Sequence, residues 1–275
     1  MTEKSSRIPG FYKLSLEERV NAVGDWAGLT EEERQIVAGT GLQPSQADHM
    51  IENVVGTYEL PLGIAVNFKV NGKDYLVPMA VEEPSVVAAV SNSAKAVRAG
   101  GGFIAEATEP VMIGQVQVLD IPDMDAAVAA LEAQRAELME LADSCDELMI
   151  RLGGGSRDVQ FRVFLETSVG PMLIFHLLYD VRDAMGANAI NTALEAMAPR
   201  IAELTGGRTS LRILSNLADQ RTVTARCTIP AAALQTGGLE GGKVARLIEE
   251  ANAFAVVDPY RAATHNKGIM NGIDA

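Results

Sequence analysis

Apolar and polar positions change rhythm along the chain, and each change marks an expected element. Residues 14–55 carry short helical stretches. Ser15 precedes Glu17 and Glu18, and Thr30 precedes Glu31, Glu32 and Glu33, side chains that cap a helix start and complement its dipole. Residues 63–81 then alternate apolar with polar, which predicts two strands, and Asn71-Gly72 stands where a tight hairpin would turn. The Ala-rich run 85–99 predicts a helix with Pro84 at its first position and Gly100, Gly101 and Gly102 past its end. Glu83 is thereby expected at a helix N-terminus.

From about residue 109 the order changes. Residues 111–119 read as a strand, 124–150 as one long amphipathic helix, and 157–165 and 172–181 as two strands joined by a turn at 168–171. Residues 189–204 read as a helix closing at Gly206-Gly207, and 209–214 begin another strand. The order β-α-β-β-α-β is that of a ferredoxin-like, split βαβ unit. The expected fold class is therefore α+β. A large, mainly helical domain, residues 1–108 and 222–275, receives a small ferredoxin-like domain, residues 109–221, as an insertion. Residues 239–254 are again helical, whereas 258–275 are polar and glycine-bearing with little periodicity, and read as a loop.

Composition narrows the function classes. Thirty-six Asp and Glu against 23 Lys and Arg give a net charge of -13 over 275 residues. With no strong basic cluster, nucleic acid is a poor partner. Cys145 and Cys227 match no metal or redox spacing, and a reduced, cytoplasmic protein is the simplest reading. The start, residues 1–10, lacks the apolar run of a signal peptide. No apolar stretch approaches the roughly 20 residues that span a bilayer, so no membrane is expected. His49 and His176 have no metal-ligand spacing and read as structural.

Four stretches carry candidate chemistry, each with a plain alternative. Residues 81–85, VEEPS, could be only an acidic strand-to-helix connection. Residues 258–272 gather Asp258, Arg261, Thr264, His265, Asn266, Lys267 and Asn271. A solvated loop would be polar too, but so varied a set of hydrogen-bonding types is more usual where loops carry function. There Arg261 offers a planar fork for a carboxylate, and Lys267 a compact charge that can polarise a carbonyl oxygen. Asp183, Ala184, Met185, Gly186, Ala187 and Asn188 lie between a strand and a helix. Small residues there admit a ligand to the backbone, and the free N–H groups of the helix attract an anion such as a pyrophosphate; an ordinary glycine-eased turn is the alternative. It is not the GxGxxG fingerprint of a Rossmann fold. Asp146, before Gly153-Gly154-Gly155, could accept from a ribose diol and repel a 2'-phosphate, or could simply be solvated.

Together these stretches resemble the class II, bacterial, 3-hydroxy-3-methylglutaryl-coenzyme A (HMG-CoA) reductases. The matching segments are ENVVGTYELP at 52–61, VEEPSVVAA at 81–89, RDAMGAN at 182–188, RILSNLAD at 212–219 and DPYRAATHNKGIMNGID at 258–274. The resemblance runs from about Arg7 to the last residue. It implies an NAD-dependent oxidoreductase that interconverts HMG-CoA with mevalonate and coenzyme A by two hydride transfers. It also implies a homodimer with the active site between subunits, and a small cofactor domain inserted in a large substrate domain.

Residue by residue, Glu83 resembles the family's catalytic glutamate, and Lys267 the lysine that stabilises the developing oxyanion. Ser85, Arg261, Thr264 and Asn271 resemble the group that holds the hydroxymethylglutaryl moiety. Asp183, Met185, Gly186, Ala187 and Asn188, with Asn216, resemble the dinucleotide-binding segment, and Asp146 the acid that selects NAD. No metal is implied. Tyr12 and Lys13 stand where a relative can place an arginine for the CoA phosphates. The family's catalytic aspartate and histidine fall beyond position 275, so the chain is expected to be a fragment without turnover of its own. The alternative is a non-catalytic module that binds nucleotide or CoA esters.

Overall fold

The computed structural model describes residues 4–39 and 41–275. The first three residues of the polar start, and Thr40 within the helical lead-in, lie outside the described residues. In chain order the elements begin with α1 (Leu16–Ala27), α2 (Glu31–Val37), α3 (Pro44–Ala47), β1 (Leu62–Val70), β2 (Lys73–Ala80) and α4 (Val86–Ala99). They continue with β3 (Ile104–Ala107), β4 (Val111–Leu119), α5 (Met124–Ala133), α6 (Arg135–Asp143), α7 (Glu147–Arg151), β5 (Gly155–Phe164) and β6 (Met172–Asp180). The last are α8 (Ala187–Thr205), β7 (Arg208–Ser215), β8 (Val223–Arg226), α9 (Gly241–Val257) and α10 (Pro259–Asp274). This mixed helix-and-sheet chain divides into two compact units, one of residues 1–105 with 225–275 and one of residues 106–224.

In the first unit, α1 and α2 open on the expected caps. Ser15 and Thr30 each exchange hydrogen bonds with the glutamate three residues on, Glu18 and Glu33, satisfying donors that a helix start leaves orphaned. β1 and β2 form an antiparallel hairpin turning at Asn71 (φ 50°) and Gly72 (φ 81°), the left-handed pair that a two-residue turn requires. At the start of the unit Ser6 is buried. Its N–H donates to Asp74 Oδ1 at 2.6 Å, and Arg98 closes the group with a 2.6 Å bond to the same oxygen.

Two expectations in this unit are corrected. Pro84 is not the first residue of α4; the helix starts at Val86, and Ser85 is its N-cap with φ 74°. Pro84 lies in the turn before it, and the left-handed Ser85 is a sparsely populated conformation for a non-glycine residue. Residues 258–275 are not a loop but the helix α10. Asp258 caps it by accepting from the N–H groups of Tyr260 and Arg261, and Pro259 occupies its first turn.

In the second unit β4, β5, β6 and β7 form one antiparallel sheet in the order β5-β6-β4-β7. Val116, Val118, Leu173, Phe175 and Leu177 point to one face. Leu131 of α5, Leu138 of α6 and Ile190, Leu194, Met197 and Ile201 of α8 cover it, all fully buried. On α8 those positions recur every three or four residues, as a helix needs to keep one stripe on a sheet. Each such side chain contributes about 1.5–3 kcal/mol when removed from water. The single long helix expected over 124–150 is instead three. Gln134 leaves helical geometry (φ -107°, ψ 17°), and α6 ends at Asp143 before Asp146 caps a new start. Breaking the run lets Leu131, Leu138 and Met149 all reach the same core.

Candidate active site

Glu83 lies in the turn between β2 and α4. Two backbone bonds fix the end of β2, Ala80 N–H to the carbonyl of Ala275 at 2.9 Å and Val81 N–H to that of Pro61 at 3.1 Å. The first ties the end of α10 to a point three residues before Glu83. The left-handed Ser85 then turns the chain into α4, without a side-chain hydrogen bond of its own to that helix. A non-glycine residue in this region costs of order 1–3 kcal/mol, and such strain gathers where a side chain must be aimed.

From α10 two side chains reach one oxygen. Lys267 Nζ donates to Glu83 Oε2 at 2.7 Å, and Asn271 Nδ2 donates to the same atom at 3.2 Å. Their spacing of four residues places them one above the other on a helix face. Arg261 and Thr264 precede them on the same helix, and the four positions fall within an arc of about 120° at 100° per residue. The Arg261 side chain is half-buried and has no partner among the described residues, so its fork is free for a ligand. Thr264 Oγ1 donates back to the carbonyl of Tyr260 at 3.0 Å. The structure thus brings together Glu83, Lys267 and Asn271. Ser85 stands two residues from Glu83, and Arg261 and Thr264 lie further along α10 without touching it.

The Lys267 and Glu83 side chains keep 64% and 45% of their surface exposed. An ion pair this open adds little to stability, so folding alone does not account for the convergence.

In the second unit the 182–188 turn runs from β6 into α8. Gly186 caps that 19-residue helix at φ 98° with no side-chain cap. A Cβ there would sit 2.5 Å from Val181 Cγ1, so both conformation and space demand glycine. The first N–H groups of α8, from Ala187 and Asn188 onward, are therefore left for an external acceptor. Asp183, Met185 and Asn188 are exposed around the turn. Arg221 Nη1 donates to the carbonyl of Ala184 at 2.8 Å, tying the turn to the exposed loop that carries Asn216. N–H groups left open at a helix start can take an anion.

Asp146 is the N-cap of α7 rather than the tail of a long helix: its Oδ1 accepts from Met149 N–H at 2.9 Å. That leaves Oδ2 for a second donor. His176 is buried in β6 with its Nε2 2.8 Å from Gln115 Nε2, and burial, then the charge of Arg162, lowers its pKa. Among the described residues no group of three or more His, Cys, Asp or Glu is arranged to hold a metal, and no helix is long and apolar enough to cross a membrane. Sequence reasoning missed Arg157, Asp180, Arg182 and Arg221, whose roles appear only when their partners are seen.

The family model for hydroxymethylglutaryl-coenzyme A reductase matches residues 15–275. The chain belongs to the hydroxymethylglutaryl-coenzyme A reductase family. It is 53% identical over 271 residues to the 3-hydroxy-3-methylglutaryl-coenzyme A reductase of Archaeoglobus fulgidus, covering 98% of this chain and 61% of that one. It is 28% identical over 202 residues to the reductase of Halobacterium salinarum, covering 67% of this chain and 47% of that one. The chain thus spans about half to three-fifths of the length of these relatives. Among solved structures it is similar to the class II reductase of Streptococcus pneumoniae bound to NADPH in open conformations. The TM-score is 0.89 at 40% identity, over 97% of this chain and 72% of that one. The relatives carry the name of the family that the motifs resemble, and the neighbouring structure carries a nicotinamide dinucleotide.

Proposed function

We propose that the chain is the greater part of an oxidoreductase that interconverts HMG-CoA with mevalonate and coenzyme A, using NAD(H), in a cytoplasmic homodimer. The observation that carries the reading is the meeting of Lys267 and Asn271 on one oxygen of Glu83. A cation beside a carboxylate at an open surface suits a carbonyl reduction, in which negative charge develops on oxygen and a proton must follow. Lys267 stabilises the oxyanion, and Glu83 holds and transfers the proton of that oxygen. Asn271 keeps the carboxylate oriented. Arg261, with Ser85 and Thr264, takes the distal carboxylate and hydroxyl of the hydroxymethylglutaryl group, for which a planar fork is suited.

We read residues 106–224 as a ferredoxin-like dinucleotide-binding domain, an assignment supported by the β-α-β-β-α-β order and the sheet order β5-β6-β4-β7. Asp183, Met185, Gly186, Ala187, Asn188 and Asn216 form the pyrophosphate side of that site. Asp146 faces the ribose, where its charge favours NAD over NADP. When bound, the nicotinamide supplies the hydride for each of the two reductions. The NADPH in the similar Streptococcus pneumoniae structure makes the choice between the two cofactors a point for measurement.

The test is substitution of Arg261 by Lys in an active form of the protein. The KM for HMG-CoA should rise about tenfold through loss of the bidentate contact, with the KM for NADH unchanged. An unchanged KM for HMG-CoA would remove Arg261 from the substrate site. Dinucleotide binding without any hydride transfer would favour a non-catalytic module instead.

A further inference from the structure

Asp180 ends β6, and its side chain has 0% of its surface exposed. A buried carboxylate is costly unless its lone pairs are filled, and here two arginines fill them. Oδ1 accepts from the backbone N–H of Arg182 at 2.9 Å and from its Nε at 2.8 Å. Oδ2 accepts from Arg157 Nη2 at 2.7 Å and also from Arg182 Nη2.

The two arginines lead to different places. Arg182, held left-handed at φ 50°, opens the turn that runs through Gly186 into α8. Arg157 donates through Nη2 to the carbonyl of Gly153 at 2.7 Å and through Nη1 to that of Gly154 at 3.4 Å. Those carbonyls follow α7, the short helix that Asp146 caps. The approach is close: a Cβ on Gly154 would come within 2.7 Å of the Asp180 carbonyl. Arg221 grips the turn again, donating to the carbonyls of Ala184 at 2.8 Å and Arg182 at 3.3 Å.

We infer that Asp180 is a positioning residue that couples the two halves of the dinucleotide site, holding the 182–188 turn through Arg182 and the Asp146 helix through Arg157. The inference rests on the reading of those two segments as dinucleotide-binding. Stability alone is a poor reason for the arrangement, because a buried ion cluster is often no more stabilising than apolar packing of the same volume. Geometry is a better one. The two arginine side chains are each about a third exposed and would otherwise be free to rotate into water, while the fixed carboxylate sets both at once.

The test is calorimetric titration of the 275-residue chain with NADH and with NADPH, with thermal unfolding recorded for each variant. Asp180→Asn keeps the shape and removes the charge. It should weaken NADH binding about tenfold or more and bring the NADH and NADPH affinities closer together, at temperatures where the variant is fully folded. Unchanged NADH affinity in the folded variant, or an equal loss for both cofactors, would overturn the coupling. If Asp180→Asn does not fold, Arg157→Met and Arg182→Met carry the same question. The first should change the ratio of the two affinities and the second should weaken both, and wild-type values in both variants would overturn the proposal. Failure of the wild-type chain to bind either dinucleotide is a separate result: it removes the dinucleotide reading, and the inference with it.

Discussion

Lys267 and Glu83, 184 residues apart in sequence, meet at 2.7 Å on the first unit, and both side chains remain substantially open to solvent. An exposed pair of this kind contributes at most about 1 kcal/mol. Lys267→Ala should therefore move the thermal midpoint by only a few degrees, about 4 °C at most. Thermal unfolding checks this, and a drop above about 10 °C would recast the pair as structural.

Asp146 caps α7, and the proposed function gives its charge a second duty at the cofactor. Asparagine caps as well as aspartate does, so Asp146→Asn should leave the thermal midpoint where it is. Loss of the charge should shift the ratio of kcat/KM for NADH over NADPH toward NADPH by about tenfold, roughly 1.4 kcal/mol. An unmoved ratio would detach Asp146 from cofactor choice.

Gly186 is constrained twice, by φ 98° and by Val181 Cγ1 at 2.5 Å from any added Cβ. Gly186→Ala should cost at least about 1 kcal/mol of stability and displace the first N–H groups of α8. Titration with NADH should then show affinity lost beyond what unfolding explains. Retained affinity would place the pyrophosphate elsewhere.

Acid should loosen the first unit at a definite place. Burial alone would raise the carboxyl of Asp74, but hydrogen bonds from Arg98 and Ser6 outweigh it and hold its pKa at about 2. The folded value lies below the ordinary one, so its contribution is complete above about pH 4 and is lost as pH falls through about 2. At most about 2.5 kcal/mol is involved. Asp74→Asn should flatten the stability profile between those pH values, and a profile identical to wild type would contradict the assignment.

The sequence made some of this legible and hid the rest for physical reasons. Caps, turns and alternation are local, so Ser15, Thr30, Asn71-Gly72 and the strands of the second unit stood out. α10 read as a loop because Asn266, Gly268, Asn271 and Gly272 dilute its apolar period. The local mark of its start is Asp258-Pro259, a capping side chain followed by a proline in the first turn. The run of apolar positions continues through Asp146 and so reads as one helix, although Asp followed by Glu is also how a helix begins. Nothing local distinguishes Asp180 from any other acid at a strand end. Arg182 lies two residues on, but Arg157 comes from β5, and only the strand pairing brings it beside Asp180.

The most direct measurement of the central claim is single-turnover reduction of mevaldehyde by NADH in an active form of the protein, wild type against Lys267→Ala. If Lys267 stabilises the developing oxyanion, the rate should fall by about 100-fold or more, while the affinity for NADH stays at its wild-type value. A Lys267→Ala protein that reduces mevaldehyde at near the wild-type rate would contradict the account.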